Sequence, residues 1–292
     1  MKLSLAKRQS LTGWIFLFPA AALIALMSFY PMLQALILSL QKGAGTNFQF
    51  AGLFNYQRML ADEVFKTALK NTFLYLGIQV PIMLLLAILL AVLLNSPKLK
   101  FRGFFRTAIF LPCATSLVSY SIIFRSLFAI DGFVNLILLK LGLIGEAVNW
   151  LANTNTARMV IIIALLWRWT GYNMVFFLSG LQNISSSLYE AARIDGANAW
   201  QRFWKITVPL LRPMILLTAI MSTNGTLQLF DESMNLTNGG PANTTLTLSH
   251  YIYKTSFVGA PNFAYSAAMS YVTFLLVAVL AFFQLKVGDA RD

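Results

Sequence analysis

Long apolar stretches alternate with short polar segments along this chain. A membrane-spanning helix needs about 20 mostly apolar residues, because about 30 Å of hydrocarbon must be covered at about 1.5 Å per residue. Six segments meet this requirement: Gly13–Leu40, Lys70–Leu94, Phe105–Phe128, Met159–Leu181, Leu210–Phe230 and Phe263–Val287. The pattern predicts an all-α, polytopic membrane protein of six transmembrane helices, forming a single transmembrane domain over residues 1–292.

The composition agrees with a protein that lies in a bilayer. Hydrophobic residues make up 58% of the 292 positions and charged residues only 11%, whereas about a quarter of an ordinary soluble domain is charged. The single cysteine, Cys113, excludes an internal disulfide. The sequence contains no nucleotide-binding glycine loop, no nucleophile motif and no metal-ligand motif. We therefore expect no catalytic residue, metal or cofactor in this chain.

Basic residues predict the orientation of the helices. If the N-terminus is cytoplasmic, the cytoplasmic segments hold 13 of the 22 Lys and Arg residues, including Lys2 and Arg291, and the outer segments hold seven. Lys and Arg concentrate on the cytoplasmic side of membrane proteins. Both termini are therefore predicted to be cytoplasmic. The surplus charge of +12 then reflects topology, and nucleic acid is not expected as a partner. The remaining two basic residues, Arg125 and Arg168, fall within predicted spans.

All ten carboxylates fall outside the six predicted spans, and His250 falls in an outer loop. Proton-coupled carriers usually relay protons through Asp, Glu or His within the membrane. Their absence from the spans favours an energy source on another polypeptide. A self-contained secondary carrier or channel for a small polar solute, with sodium as the driving ion of a carrier, remains the alternative at this point.

The loop between the fourth and fifth spans has the pattern of two short helices. Ser187 is predicted to cap the first helix, with Glu190 completing a capping box. Gly196 permits a bend. A second, amphipathic helix follows and is predicted to end at Pro209. Its apolar positions are Trp200, Phe203, Trp204 and Thr207. By itself, this pattern also fits an interfacial helix or a simple connection between spans.

This loop resembles the EAA motif of importer-type ATP-binding-cassette (ABC) permeases. The matching residues are Glu190, Ala191, Ala192 and Gly196, followed by Ile206-Thr207-Val208-Pro209. Val208 is the one departure from the usual Ile-x-Leu-Pro ending. The resemblance implies that this loop forms coupling helices that dock on an ATP-binding subunit. It assigns that coupling role to Glu190, Ala191, Ala192, Gly196, Trp200, Phe203, Trp204 and Pro209.

Further segments narrow the resemblance to carbohydrate permeases of the maltose, lactose and glycerol-phosphate type, and to the first of their two permease subunits. These segments are Phe50-Ala51-Gly52-Leu53-Phe54-Asn55-Tyr56, Asn71-Thr72, Arg106 with Leu111-Pro112, Asp131-Gly132 with Asn135, Phe230-Asp231, Leu236-Thr237-Asn238-Gly239-Gly240-Pro241, Thr244-Thr245 and Tyr251-Ile252-Tyr253. The resemblance implies the type I permease fold and alternating access in a bacterial inner membrane. It implies as partners a second permease, two ATP-binding subunits that carry ATP and magnesium, and an extracytoplasmic binding protein that delivers a carbohydrate.

The helices that flank the coupling loop line the solute path in related permeases, and in this chain they carry the polar residues. Aromatic faces suit the C–H surfaces of a sugar, and amides and hydroxyls suit its hydroxyl groups. The residues predicted to line the path are Trp169, Tyr172, Asn173, Ser222, Asn224, Thr226 and Gln228. Helix packing is the alternative role for such residues.

Overall fold

The protein was examined as a computed structural model that describes the backbone of residues 5–44 and 47–289. Side chains are described for residues 12–43 and 47–288. Lys2 and Arg291, which contributed to the predicted orientation, lie outside the described residues. The chain divides into two units, one formed by parts of residues 1–61 and 252–272, the other by residues 62–251 and parts of 273–292.

The first unit begins with a long apolar helix. Its elements are α1 (Leu5–Ile24), a π-helical turn (Ala25–Phe29), α2 (Tyr30–Ser39), the antiparallel strands β1 (Gln41–Ala44) and β2 (Asn47–Phe50), and α3 (Phe54–Ala61). The amide of Asn55 donates to the carbonyls of Ser39 and Gln41 at 2.8 and 2.7 Å, which ties α3 to the end of α2. The apolar side chains of the first helix, such as Trp14 and Phe16, are exposed.

The second unit is built around two long helices, α4 (Glu63–Asn95) and α8 (Thr154–Gln182). Small buried residues such as Ala87 on α4 and Ala164 on α8 allow the two helices to pack closely. The other helices of this unit are α5 (Arg102–Ala114), α6 (Leu117–Leu127), α7 (Phe133–Lys140), α9 (Ser186–Ile194), α10 (Ala199–Arg202), α11 (Val208–Leu210), α12 (Arg212–Leu227) and α13 (Asp231–Thr237). Helices α14 (Leu248–Phe257) and α15 (Phe263–Asp289) contribute to both units.

Four helices of the described chain are long and apolar enough to cross a membrane: Thr12–Ser39, Glu63–Asn95, Thr154–Gln182 and Phe263–Gly288. They contain the predicted first, second, fourth and sixth spans, apart from Leu40 at the end of the first. Two sharply bent helix pairs overlap the third and fifth predicted spans, and they raise the number of candidate spans to six when each pair counts as one. The second pair also includes the predicted second loop helix.

The third predicted span, Phe105–Phe128, is not a single straight helix. Helices α5 and α6 meet at an angle of 100°, because Thr115 and Ser116 have extended backbones. Arg168, which is buried on α8, donates to the carbonyls of Pro112 and Thr115 at 3.2 and 2.9 Å. A charged donor at the carboxyl end of a helix satisfies carbonyls that have no partner within the helix. Arg168 therefore stabilises the break.

The fifth predicted span was expected to begin where Pro209 ends the second loop helix. Pro209 lies instead within α11, and the bend of 70° falls at Leu211, before α12 begins. Pro213, in the first turn of α12, has no N–H to donate to the preceding turn, so the helix cannot continue straight through this point.

Candidate functional site

A cavity of about 290 Å³ lies in the second unit, among α4, α8, α12 and the beginning of α13. Six of the seven residues predicted to line the solute path line this cavity: Trp169, Tyr172, Asn173, Ser222, Thr226 and Gln228. Sequence reasoning missed other lining residues, and those that bear polar groups are Gln79, Asp231 and Glu232. Small-molecule sites are typically concave, with a few convergent polar groups on a mostly apolar wall.

The polar groups of the cavity wall are oriented by one another. Thr226 Oγ1 donates to Gln79 Oε1 at 3.1 Å, and Ser222 Oγ donates to Asn173 Oδ1 at 3.4 Å. The rings of Trp169 and Tyr172 meet edge to face, with their centroids 5.8 Å apart. Gln79 could have been found in the sequence, because an amide within a long apolar span is uncommon.

Asn224, the seventh residue predicted to line the solute path, does not line this cavity. It lies on the exposed side of α12 and accepts a hydrogen bond from Gln228, one turn later. Gln228 is the C-cap of α12 and also lines the cavity.

Two acidic residues form one end of the cavity. Glu232 is 3% exposed, and Oε1 of its carboxyl group accepts a hydrogen bond from the Tyr120 hydroxyl at 2.5 Å. Burial raises the pKa of the Glu232 carboxyl above its ordinary value, and the Tyr120 hydrogen bond offsets part of that rise. The sequence signal was an acidic pair, Asp231-Glu232, directly after the fifth span. The pair lies outside the predicted span, and the sequence does not show that the Glu232 side chain is buried against the cavity.

Helix α5 packs closely against α8, one of the helices that line the cavity. A Cβ on Gly171 would lie 1.9 Å from the carbonyl oxygen of Ile109, so only glycine fits at this crossing. The guanidinium of Arg168 lies 4.8 Å from the centre of the Tyr120 ring. Arg168 thus connects the end of α5 to the residue that holds Glu232.

The coupling loop has two helices, as predicted, but its first cap differs from the prediction. Ser185, not Ser187, is the N-cap of α9, because its hydroxyl accepts from the Ser187 N–H at 3.4 Å. Since the helix begins at Ser186, Glu190 is too far along to close a capping box. It is exposed, as is Ala191. A capping box does occur on α10, between Asn198 and Gln201.

The bend between the two loop helices has a defined hydrogen-bond pattern. Gly196 has a φ of +80°, a conformation that side chains disfavour, as its predicted role in the bend requires. The N–H of Gly196 donates to the Arg193 carbonyl at 3.0 Å, and the N–H of Ala197 donates to the Ala192 carbonyl at 2.8 Å. This is a Schellman motif, which fixes the direction in which the chain leaves the helix. Ala192 therefore takes part through its backbone.

The second loop helix divides its aromatic residues between two environments. Trp200 and Trp204 are 67% and 45% exposed, whereas Phe203 is 8% exposed and packs against residues of α4 and α8. A π-helical turn at Phe203–Thr207 changes the helical register here. The three aromatic residues predicted to dock on a partner therefore do not share one exposed face. Trp200 and Trp204 are available to a partner, and Phe203 anchors the loop to the transmembrane helices.

The hydroxyl groups of Tyr189 and Thr207 lie 3.0 Å apart and join the two loop helices. Because Thr207 is buried and follows Phe203 by one turn, this hydrogen bond also links α9 to the anchored side of the second helix. The loop is thus positioned as a unit.

The segment after α13 is also held firmly. Arg158 donates to Asn71 Oδ1 at 2.7 Å and to the Thr244 carbonyl at 2.9 Å, and Asn71 donates to the carbonyl of Leu246. His250 was predicted to lie in an outer loop. It is buried on α14, with its Nδ1 2.8 Å from the Ser233 hydroxyl.

Comparison with known proteins gives consistent results. The family model described as "Binding-protein-dependent transport system inner membrane component" matches residues 71–289. The chain is 53% identical to the lactose transport system permease protein LacF of Rhizobium radiobacter, covering 99% of this chain and 97% of that protein. It is 36% identical to the arabinooligosaccharides transport system permease protein AraP of Halalkalibacterium halodurans, covering 97% and 89%.

A solved structure has the same fold. It is a chain of a bacterial ABC transporter involved in the import of the acidic polysaccharide alginate, with a TM-score of 0.84, 24% identity, and coverage of 97% of this chain and 96% of that one. At this identity the likeness concerns the fold alone. The expected type I permease fold is thereby confirmed.

Proposed function

The chain belongs to the binding-protein-dependent transport system inner membrane component family, and from this premise we propose that it is the membrane-spanning permease subunit of an ABC importer for a carbohydrate. It is a transporter permease and not an enzyme. The solute crosses by alternating access, in which the path opens first to one side of the membrane and then to the other.

The carbohydrate substrate is supported by the relatives and by the cavity. The permeases LacF and AraP are described as transporting lactose and arabinooligosaccharides. The cavity wall combines the aromatic faces of Trp169 and Tyr172 with the amide and hydroxyl groups of Gln79, Asn173 and Thr226. Such a wall offers both apolar surface and hydrogen bonds to a sugar.

The observation that carries the proposal is the coupling loop. Trp200, Trp204 and Ile194 are exposed on a short helix pair that is fixed by a Schellman motif and anchored through Phe203. Exposed aromatic residues on a rigid support are typical of a surface that binds another protein. A fixed loop can pass the motion of a bound ATPase to the helices that line the path, whereas a flexible one cannot.

The importer contains further subunits in this proposal. Two ATP-binding subunits carry ATP and magnesium, so that this chain needs no cofactor of its own. A second permease forms a heterodimer with this chain and covers part of its exposed apolar surface, with membrane lipid covering the rest. An extracytoplasmic binding protein delivers the sugar. The protein lies in a bacterial inner membrane with both termini in the cytoplasm.

Photo-crosslinking tests the proposed docking surface. A benzophenone side chain placed at Trp200 in the assembled transporter should capture the ATP-binding subunit. The same side chain at Lys140, which is exposed on α7 and predicted to face outward, should not. Capture of the ATPase from position 140, or its absence from position 200 in an ATP-hydrolysing complex, would contradict the proposed docking.

A matched pair of alanine variants tests the cavity. Tyr172→Ala removes a ring that lines it, and uptake affinity or rate should fall. Asn224→Ala removes a polar group from the same region outside the cavity and should have a smaller effect. Equal effects of the two variants, with normal assembly, would show that the cavity is not the path.

The orientation is tested by a reporter fused after Asp292. Both termini are proposed to be cytoplasmic, so a reporter that is active only in the cytoplasm should function in this fusion. Activity of a reporter that works only outside the inner membrane would reverse the orientation.

A further inference from the structure

The acidic end of the cavity suggests a determinant of substrate charge. Asp231 and Glu232 both line the cavity, next to neutral amides, hydroxyls and aromatic rings. Among the residues that the structure describes, no Lys or Arg lines this cavity. A solute in the cavity therefore meets carboxyl groups and no cationic side chain.

Glu232 is held in a defined position. Its carboxyl group accepts the hydrogen bond from Tyr120 at 2.5 Å, and the residue is 97% buried by the surrounding helices. The Tyr120 ring stacks with Trp167, with centroids 6.2 Å apart, and has Arg168 near its face. A buried polar group with fixed neighbours cannot move away from a poorly matched ligand, so a mismatch at this position is costly.

Arg168 lies near this acidic end, but its guanidinium is hydrogen-bonded to the end of α5. Its guanidinium donates to the carbonyls of Pro112, Cys113 and Thr115 at the end of α5. It lies against the Tyr120 ring and is not part of the cavity wall. Because Arg168 is buried and does not line the cavity, it is not placed to pair with an anionic solute there.

We propose that Asp231 and Glu232 are specificity-determining residues that make this permease path accept neutral sugars and reject sugars that carry a carboxylate. Carboxylate oxygens accept hydrogen bonds from sugar hydroxyls, whereas a carboxylate on the solute brings a further negative charge beside Asp231 and the buried carboxyl group of Glu232. The inference rests on the proposed function, because it concerns the solute of that same cavity.

The test compares two solutes that differ only in charge at one group. The probes are lactose and its derivative in which the hydroxymethyl group of the galactose ring is oxidised to a carboxylate. Binding of each probe is measured by calorimetry on the assembled permease–ATPase complex in nanodiscs. The binding protein is omitted, so that its own selectivity does not contribute. The variants are the double change Asp231→Asn with Glu232→Gln, and Asp131→Asn as a control on an exposed acid outside the cavity.

The wild-type complex should bind lactose at least about tenfold more tightly than the acidic derivative, which is a modest effect for like charges at a binding site. The double variant should reduce this ratio to about threefold or less, and the control should keep it. The ratio is compared on variants whose assembly and melting match the wild type, and the single change Asp231→Asn is used if the double variant does not assemble. An unchanged ratio in the double variant, equal binding of the two probes by the wild type, or no lactose binding would overturn the inference.

A parallel uptake assay with the binding protein and ATP separates the two levels of the proposal. If the wild-type complex takes up lactose with ATP but shows no charge preference, only the charge selection fails. If the complete complex takes up neither probe with ATP, the proposed carbohydrate importer fails as well.

Discussion

Replacement of Gly196 tests how the coupling loop works. Gly196 has a φ of +80°, and a Cβ added to it would meet no atom within 4 Å. The effect of a side chain is therefore conformational rather than steric. A non-glycine residue in the left-handed region costs about 1–2 kcal/mol, least for Asn and more for a β-branched residue. A cost of this size changes the population of the native bend by about 5–30-fold.

We expect Gly196→Val to reduce sugar uptake several-fold, whereas ATP hydrolysis by the complex continues. The bend redirects the helix that bears Trp200 and Trp204, so a changed bend would misplace the proposed docking surface. Gly196→Asn is the matched control, because Asn accepts a positive φ more readily. It should retain most of the uptake.

The measurement is the ratio of sugar molecules taken up to ATP molecules hydrolysed, in proteoliposomes that contain the assembled transporter. The melting temperature of the complex, followed by intrinsic fluorescence, should fall by no more than a few degrees in Gly196→Val, because the cost is conformational and about 1–2 kcal/mol. A normal ratio in Gly196→Val would refute the reasoning. An equally low ratio in both variants would show that the side chain's presence matters and that the φ angle does not.

Three further changes have expected outcomes that follow from the packing. Gly171→Ala forces a Cβ into a backbone carbonyl and should destabilise the complex by about 1–3 kcal/mol in thermal melting, whereas Gly77→Ala, with open space, should not. Phe203→Ala should lower the free energy of unfolding by about 3–5 kcal/mol, because Phe203 is buried. Trp200→Ala should leave that free energy near the wild-type value and reduce the amount of ATPase that copurifies, because Trp200 is exposed. A large loss of stability in Trp200→Ala and none in Phe203→Ala would contradict the assigned roles. Burial raises the pKa of Glu232, so the unfolding free energy should fall as the pH rises through that raised pKa. Glu232→Gln should remove this decrease. If the unfolding free energy of Glu232→Gln depends on pH as that of the wild type does, the decrease does not come from Glu232.

The longest apolar helices and six residues of the cavity wall could be predicted from the sequence. Apolar runs of sufficient length have few alternatives to a helix in a bilayer, so α4, α8 and α15 followed from hydropathy alone. Polar residues within such runs, such as Asn173 and Thr226, face protein or water rather than lipid. This explains why so many of the predicted lining residues line the cavity.

The broken helices could not be predicted in this way. The 100° bend before α6 depends on extended backbones at Thr115 and Ser116 and on a distant donor, Arg168, on another helix. A hydropathy pattern does not predict where a helix bends, and it does not predict a hydrogen bond between residues more than 50 positions apart. Tertiary contacts of this kind appear only once the helices are assembled.

The sequence also did not predict correctly which side of a helix some side chains occupy. Phe203 and Trp204 are neighbours in one aromatic cluster of the sequence, yet one anchors the loop and the other is exposed. The regular 3.6-residue period fails at the π-helical turn of Phe203–Thr207. Similarly, Glu232 follows the fifth span closely in sequence, and only the turn of α13 brings it back against the cavity.

The central claim is that the energy for transport reaches this chain from a separate ATPase through the coupling loop. Uptake of radiolabelled lactose into proteoliposomes tests it most directly, with this chain alone or with the second permease, the ATPase and the binding protein. We expect accumulation only in the complete assembly and only when ATP is supplied. Accumulation by this chain alone, driven by a sodium or proton gradient, would contradict the claim and identify a secondary carrier.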